Sequence, residues 1–239
     1  MLAEAIQKIL DLAHNDEHLI NGLTYTDKPV TLVPRHFDKP EAFQMSGLDG
    51  IARVINTELD EHASPVVIRV TDPTTVDVFS TYLPDMSRYK AYVAKAEVPS
   101  FHDGYVDHNE AIIRLRSRFA PNDGQEYLLN LLRTMNMEQS AQSDDNGVTQ
   151  TITARQGIAL NQTVTVKPIV KLRPYRTFHE VDQPESEFLL RIDNSGRVGL
   201  FEADGGAWKL QAKKNIADYF CNHPDLKAHL DTGDVIVTI

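Results

Sequence analysis

The sequence predicts an α+β fold in which a mixed α/β amino-terminal half packs on a largely antiparallel, β-rich carboxy-terminal half with a late helix. Three observations predict it. Before residue 138, apolar residues recur at steps of three and four in several segments, which is the period of an amphipathic helix. Between residues 139 and 203 apolar and polar residues alternate instead, as in strands. Hydrophobic residues make up 41% of the 239 residues and charged residues 24%, as in globular proteins with a core.

The amino-terminal half is predicted to alternate helices with strands. Helical spacing predicts four helices: residues 2 to about 14, residues 48–59 with Ser46 as the cap, a segment after Asp72 and Pro73 that buries Val76, Phe79 and Leu83, and a segment capped by Asn122 or Asp123 that ends near Met135. Strands are predicted at 30–33, at 66–70, and in the two segments, 89–98 and 110–119, that flank a hairpin loop at 99–109.

Turn residues predict hairpins in the carboxy-terminal half. Asn146-Gly147 supplies the positive φ angles of a type I′ turn, and residues 194–196 form a second turn between two alternating segments. A strand over 162–172 is interrupted at Pro168, a helix follows at about 208–220, and residues 234–239 predict a last strand. We expect residues 1–239 to form one compact domain, or two contacting subdomains at about 1–138 and 139–239, because no linker-like run separates them.

The charge and the cysteine content limit the classes of function that the sequence allows. The net charge is −10, from 24 basic and 34 acidic residues, so the surface repels phosphate backbones on average and nucleic-acid binding is not favoured. DNA mimicry would also explain this acidity, but solubility is the preferred interpretation. Cys221 is the single cysteine, which fits a reducing compartment. No signal peptide and no run of about 18 apolar residues occurs, so we predict a cytoplasmic protein without a membrane span.

Two arginine groups are candidate anion- or nucleic-acid-binding sites. Arg114, Arg116 and Arg118 form a basic stripe on one face of the strand predicted at 110–119, and arginine binds phosphate bidentately. The preferred interpretation is an exposed face whose arginines pair with carboxylates. The second group, Arg173, Tyr175 and Arg176, mixes arginine with aromatic rings, as nucleic-acid platforms and protein interfaces both do. An interface or plain packing is preferred here.

A polar cluster in the 99–109 loop is a candidate metal site. Histidine and carboxylate side chains suit zinc, manganese or iron, and the candidate ligands are His102, Asp107 and His108. Their spacing matches no known metallohydrolase pattern, so a solvated loop is the preferred interpretation. Asp204, Gly205 and Gly206 precede a helix but predict a chain turn rather than an anion site. No catalytic residue and no cofactor are predicted, because phosphate-loop, dinucleotide-binding and nucleophile-elbow patterns do not occur.

One family resembles the chain in its later part. Residues 170–178 read VKLRPYRTF, and EVDQPESEFLLRI and LFEADGGAWKLQAKKNIADYF follow; DDNGVTQTITARQGI precedes them. These segments resemble a group of uncharacterised phage and prophage proteins, the YfdQ-like family, most clearly over residues 123–220. The resemblance implies an accessory protein of the phage early region, encoded near recombination or replication functions, and it supplies no catalytic or binding residues.

We therefore predict a phage-encoded, noncatalytic binding protein of the host cytoplasm that acts in phage nucleic-acid metabolism or against host defence. Its partner would be a phage or host protein. A homo-oligomer is expected from the several strand edges and the general frequency of symmetric assemblies. Two alternatives stay open: a metal-dependent hydrolase that uses His102, Asp107 and His108, and a nucleic-acid-binding protein that uses the strand with Arg114, Arg116 and Arg118.

Overall fold

The fold is α+β, as predicted. A computed structural model describes residues 2–13, 17–27, 30–33, 39–59, 65–83, 86–99, 101–135, 142–145, 150–156, 160–193 and 195–239. Among the helices of these residues, none combines the length with the apolar character that crossing a bilayer requires. The predicted turn at Asn146-Gly147 lies outside the described residues.

The chain begins with helix α1 (Leu2–Ala13) and a three-stranded antiparallel sheet formed by β1 (Glu17–Ile20), β2 (Leu23–Asp27) and β3 (Val30–Val33). Asn21 and Gly22, with φ of 53° and 79°, make the turn between β1 and β2. The predictions of helix α1 and strand β3 are confirmed, whereas β1 and β2 were not predicted. The Asn-Gly pair is the sequence signal of this hairpin, since both residues tolerate positive φ.

The remaining elements form two lobes and one further sheet. In chain order they are β4 (Phe43–Met45), α2 (Leu48–Glu58), β5 (Val66–Asp72), β6 (Thr75–Phe79), β7 (Lys90–Lys95), β8 (Gly104–Val106), α3 (His108–Arg118), β9 (Phe119–Ala120), α4 (Asp123–Met135), β10 (Gln142–Asp145), β11 (Gln150–Gln156), β12 (Leu160–Val166), β13 (Ile169–Pro174), β14 (Ser186–Ile192), β15 (Val198–Glu202), α5 (Trp208–Asn222), α6 (Lys227–Thr232) and β16 (Val235–Thr238). Strands β10, β11 and β12 pair antiparallel as a separate sheet.

The first lobe is a sheet of strand order β16-β5-β6-β7-β4 with α2 and α5 on one face. The pairs β16/β5 and β4/β7 are parallel, and the others are antiparallel. Its core contains fully buried side chains from the sheet and both helices: Leu48, Ile51, Ile68, Val76, Ile216 and Phe220. Because apolar residues recur at helical spacing on α2 and α5, each helix turns one stripe onto the sheet.

The second lobe is an antiparallel sheet of order β8-β15-β14-β13-β9, with α3 and α4 on one face. Its core contains Leu115, Leu128, Leu132, Leu172, Phe188 and Leu190. Helix α4 lies close to the sheet at Gly124, where an added Cβ would come 1.9 Å from the carbonyl oxygen of Lys171. The approach is possible because glycine has no side chain.

The two lobes do not follow the boundary suggested near residue 138. The first lobe is built from residues 43–95 and 208–238. The second lobe, with elements at 104–135 and 169–202, and the separate sheet of β10 to β12 are inserted between these two parts. Helices α3 and α4 share a core with β13, β14 and β15, which lie on the other side of that boundary. The connection between β13 and β14 joins the lobes, because its Phe178 is buried in the core of the first lobe. The prediction of one compact domain stays a prediction.

The helix predicted after Asp72 is wrong, since Thr75–Phe79 is strand β6. Asp72 Oδ1 accepts a hydrogen bond from the backbone nitrogen of Thr74 at 2.8 Å, and this turn joins β5 to β6 as a hairpin. Pro73 therefore belongs to a turn and not to the first position of a helix. The β-branched residues that follow it are the signal that favours a strand.

The predicted cap of α2 is also wrong. Gly47, not Ser46, is the N-cap residue, and it makes no side-chain cap hydrogen bond. Instead Glu180, from the connection between β13 and β14, accepts a hydrogen bond from the Leu48 nitrogen at 2.8 Å. The carboxylate of a distant residue thus replaces the local cap. The predictions for α4, for the β14–β15 hairpin, for α5 and for β16 are confirmed, although Leu210 on α5 is exposed.

Candidate binding cleft

Residues 108–118 form helix α3, so the strand predicted for the arginine stripe is wrong. Asp107 is the N-cap, and its Oδ1 accepts from the Glu110 nitrogen at 2.9 Å. An acidic N-cap followed three residues later by glutamate is the spacing of a capping box. Ala111, Leu115 and Phe119, at steps of four, are buried. The apolar residues of this segment fit both the two-residue period of a strand and the period of a helix. The N-cap and the packing on α4 favour the helix.

The helix separates the three arginines. Arg114 and Arg118 are one turn apart on the same side, whereas Arg116 projects from the opposite side because each residue turns the helix by about 100°. Arg116 is exposed, and Arg114 and Arg118 are half-buried. A continuous basic stripe of all three residues is therefore not formed.

Arg114 and Arg118 line a cleft between α3 and the β8 edge of the sheet. Its wall is mainly apolar and includes Phe101, Val106, Ala111, Leu115, Phe119 and Leu200. Phe101 forms edge-to-face contacts with Phe119 and Phe188, at centroid distances of 6.0 and 5.3 Å. This aromatic cluster gives the cleft a rigid floor, since edge-to-face ring pairs have a preferred geometry.

The polar residues that line the cleft are all basic: His102, Arg114 and Arg118. None of the described residues in its lining is acidic, in a chain whose net charge is −10. Arg114 Nε lies 2.6 Å from Glu110 Oε1, four residues earlier on the helix, so part of its charge is already paired. The arrangement offers an apolar interior beside guanidinium groups, which prefer carboxylate and phosphate oxygens.

The candidate metal ligands have other roles. His102 is an exposed rim residue of the cleft, and Asp107 caps α3. His108 Nε2 lies 2.6 Å from the carbonyl oxygen of Leu132 on α4, and since a carbonyl only accepts, this nitrogen carries the hydrogen. Among the residues that the structure describes, no three histidine, cysteine, aspartate or glutamate side chains are grouped as metal ligands would be.

The second arginine group is dispersed as well. Arg173 Nε pairs with Glu185 at 3.7 Å, and the Tyr175 ring stacks at a tilt on His179, with centroids 5.2 Å apart. Arg176 is buried. These residues do not form one anion-binding surface.

Arg176 instead joins the end of the second lobe to the start of α5. Its guanidinium contacts Glu202 and Ser186 and lies 3.9 Å from the ring centroid of Trp208. Burial lowers the pKa of Arg176, and the hydrogen bond and charge of Glu202 oppose this shift. A buried arginine held by a carboxylate, a hydroxyl and an aromatic face is a packing anchor between elements.

Asp204, Gly205 and Gly206 form the turn that was predicted before α5. Asp204 Oδ1 accepts from the Gly206 nitrogen at 2.9 Å, and both glycines have positive φ, 62° and 80°. Burial alone would raise the pKa of Asp204, but hydrogen bonds from Ser186 and from the amides of Gly206 and Trp208, together with the charge of Arg176, bring it below its usual value. The carboxylate therefore stays ionised within this turn.

The cleft was not foreseen because its walls are remote in sequence. Residues 101–119 supply one part, and Val198 and Leu200 supply the other. The capping-box pair Asp107 and Glu110 was the one local signal that would have placed Arg114 and Arg118 on the same side of a helix. Compared with models of known protein families, with curated proteins and with solved structures, the chain gives no match.

Proposed function

We propose that this chain is a binding protein whose cleft beside α3 receives one apolar side chain of a partner protein, next to a carboxylate of that partner. The supporting observation is the lining of the cleft, in which apolar residues surround an interior whose polar residues are His102, Arg114 and Arg118. In a chain of net charge −10, this concentration of basic residues attracts an anionic group locally.

The size of the cleft favours a side chain over a whole small molecule. The cleft has a volume of about 30 Å³. By the same measure a single water needs about 10–15 Å³, whereas pockets for drug-sized ligands have several hundred. The cleft therefore admits the tip of one aliphatic side chain, while the rest of the partner stays outside.

A carboxylate fits the rim because arginine binds it through two parallel hydrogen bonds. Glu110 already accepts from Arg114 Nε, so the terminal nitrogens of that guanidinium are the ones that would meet the ligand. Glu110 competes with the ligand for Arg114. A leucine at the end of a chain carries an aliphatic side chain and a carboxylate on the same residue, which makes it a suitable probe.

The wider role that we propose is that of a phage accessory protein in the host cytoplasm, acting in phage nucleic-acid metabolism or against host defence. Its support is the resemblance of residues 123–220 to the YfdQ-like family. The metal-dependent hydrolase and the nucleic-acid-binding alternatives stay predictions.

The test is fluorescence anisotropy with a labelled peptide that ends in leucine with a free carboxyl group. Arg114→Ala is expected to weaken binding about 10-fold, the equivalent of one charge-assisted contact. Glu110→Gln is expected to strengthen it about threefold, because it releases Arg114. Arg116→Ala, on the opposite side of the helix, is the matched control and should bind like the unmodified chain.

A second peptide, identical but amidated at its end, isolates the carboxylate and should bind about 10-fold more weakly. Ala111→Leu fills the cleft and should abolish binding, with circular dichroism to confirm that the variant is folded. The proposal fails if the free-acid peptide does not bind at millimolar concentration, or if Arg114→Ala and Arg116→Ala behave alike. Binding of a single-stranded oligonucleotide that Arg116→Ala weakens would favour the nucleic-acid alternative instead.

A further inference from the structure

Strand β8 has a free outer edge beside the binding cleft. The strand order places β8 at one end of the sheet of the second lobe, and among the described residues it pairs with β15 alone. Gly104 and Val106 of β8 also line the cleft, together with residues of α3. A peptide in the cleft therefore lies next to an unpaired strand edge, which is a template for a further strand.

The hydrogen bonds of β15 show which backbone groups of β8 point outward. The Ala203 nitrogen donates to the carbonyl oxygen of Glu187 on β14 at 2.8 Å. The nitrogen of the preceding residue, Glu202, donates to the other side of the strand, to Asp103 Oδ1 at 3.2 Å. In an antiparallel pair the backbone groups of successive residues alternate between the two edges of a strand. Residues at steps of two before Glu202 therefore direct their backbone groups to β8.

Tyr105 is the residue of β8 whose backbone groups face away from the sheet. Leu200 lies opposite Gly104 and Val198 lies opposite Val106, so these two residues of β8 direct their backbone groups to β15. Tyr105 lies between them, and its N–H and C=O consequently point out of the free edge. Within the part of the chain that the structure describes, neither group takes part in a backbone hydrogen bond.

The basic residues of the cleft set the direction of a bound peptide. His102 precedes β8 by two residues, and Arg118 at the end of α3 lines the same cleft. The contact of the Phe101 and Phe119 rings, with centroids 6.0 Å apart, places the end of α3 beside the residues that precede β8. A carboxylate held by the basic residues therefore lies at the beginning of β8. A peptide that ends in this carboxylate runs antiparallel to β8.

We propose that the partner binds through an extended carboxy-terminal segment that adds to the sheet as a strand antiparallel to β8. This inference rests on the proposed function of the cleft and adds main-chain hydrogen bonds to it. The N–H of the partner's penultimate residue donates to the Tyr105 carbonyl oxygen, and its C=O accepts from the Tyr105 N–H. The ligand class is thus a protein that ends in an extended tail with an aliphatic last residue and a free carboxyl group.

The register of this pairing directs the last side chain into the cleft. With the penultimate residue opposite Tyr105, the last residue lies opposite Gly104, which lines the cleft. Residues directly opposite each other project on the same face of a sheet. A Cβ at Gly104 would have no heavy atom within 4 Å, so the space that the last side chain crosses is open.

N-methylation of the peptide tests the main-chain hydrogen bonds without altering the protein. A methyl group on the nitrogen of the penultimate residue removes the donor to Tyr105 and should weaken binding about 10-fold in fluorescence anisotropy. The matched control is a methyl group on the nitrogen of the third residue from the end. This N–H points away from β8, so the control should lose less than about threefold in affinity.

Two measurements on the protein test the same pairing. Amide hydrogen exchange followed by NMR should slow at Tyr105 when the free-acid peptide is added, because its N–H becomes hydrogen-bonded. Tyr105→Pro removes this donor at a position where an edge strand tolerates proline. It should bind the peptide about 10-fold more weakly than Tyr105→Ala, which loses the same ring but keeps the amide, with circular dichroism to confirm that both variants are folded.

The outcomes separate this inference from the proposed function. If the free-acid peptide binds and Arg114→Ala weakens it, but the two N-methylated peptides bind alike, the cleft function stands and the strand pairing is wrong. Unchanged exchange at Tyr105 in the peptide complex would likewise overturn the pairing. If the free-acid peptide does not bind at millimolar concentration, the proposed function and this inference both fail.

Discussion

Each lobe has a five-stranded sheet with helices on one face, but the uncovered faces of the two sheets carry different side chains. On the first lobe, Asp77 accepts from the Thr71 hydroxyl at 2.7 Å and lies 2.9 Å from Lys90 Nζ, and Arg69 lies over the Phe79 ring at 5.7 Å. On the second lobe the corresponding face carries the apolar row from Ile169 to Tyr105. One uncovered face carries polar groups that are paired within the chain, and the other carries apolar side chains of which Ile169 and Tyr105 are exposed.

Asp77 shows how the first lobe achieves this. The residue is 4% exposed, and burial alone would raise its pKa. Hydrogen bonds from Lys90 and Thr71 and the charges of Lys90 and Arg69 outweigh the burial, so the pKa of Asp77 lies below its usual value. The carboxylate is therefore ionised at neutral pH, and its partners are all on the same sheet. A buried charge of this kind is tolerated because it is paired and hydrogen-bonded.

The lobes also differ in dependence on each other. The connection between β13 and β14 of the second lobe supplies Phe178 to the first core, Glu180 to the start of α2, and Thr177, whose hydroxyl donates to the Pro73 carbonyl at 2.5 Å. The first lobe is thus completed by the second.

The largest effect should come from breaking this dependence. Phe178→Ala removes a ring that is 1% exposed and should lower the free energy of unfolding by about 4 kcal/mol, the usual cost of a phenylalanine cavity in a core. Urea unfolding followed by circular dichroism measures it. The neighbouring exposed residue provides the control, because His179→Ala should change the free energy by less than about 0.5 kcal/mol. A small loss in Phe178→Ala would mean that the first lobe does not need the connection.

The second-largest loss of stability is expected where α4 packs on its sheet, and the packing of α2 in the first lobe provides the comparison. Gly124→Ala drives a methyl group into the Lys171 carbonyl and should cost about 3 kcal/mol, because backbone atoms cannot yield. In the first lobe, a Cβ at Gly50 of α2 would meet Met45 Sδ at 3.0 Å, which is the end of a flexible side chain.

Gly50→Ala is therefore expected to be near neutral, since helix propensity offsets the contact. Thermal unfolding of both variants by calorimetry compares them directly. Equal losses in the two variants would show that α4 is no more tightly docked on its sheet than α2.

The smallest effect concerns the polar network of the first lobe. Lys90→Met leaves the buried Asp77 with fewer partners and should cost about 1 kcal/mol at pH 7. Because the folded pKa of Asp77 is depressed, its contribution is present above the usual carboxylate pKa and is lost as the pH falls through the folded value. The variant should accordingly lose less stability than the unmodified chain between about pH 5 and pH 3.

Urea unfolding at a series of pH values measures this difference. Lys95→Met, at an exposed position of the same strand, is the control and should keep the acid dependence of the unmodified chain. Parallel acid curves for Lys90→Met and the unmodified chain would remove Lys90 as the cause of the depressed pKa.

Local signals predicted much of the fold. The cap and apolar spacing of α4 and the pairing of β14 with β15 were predicted correctly, because neighbouring residues determine these elements. Asn194 of the predicted turn lies outside the described residues. The predictions at β6 and α3 were wrong because the apolar spacing of each short segment fits both a strand and a helix. Pro73 is compatible with a turn as well as with the start of a helix, and Asp107 is compatible with a loop as well as with a helix N-cap. Asn21-Gly22 was a turn signal that was overlooked.

The functional surfaces were less accessible to sequence reasoning. Arg114 and Arg118 were named as candidates, but their cleft depends on residues about 80 positions away along the chain. Arg176 was named for its charge and is buried beside Trp208. The apolar row of Ile169, Leu189, Phe201 and Tyr105 requires the register of four strands, which no single segment contains.

The interruption of the first lobe by the second sets an order of events during synthesis. A ribosome adds on the order of 10 residues per second, so on the order of 10 s pass between the emergence of β7 and of α5. Throughout that interval the strands β5 to β7 lack Ile216 and Phe220, which cover their apolar side in the finished molecule. The inserted lobe, whose elements emerge one after another, is complete first, and the apolar side of β5 to β7 lacks the cover of α5 until the rest of the first lobe has been synthesised.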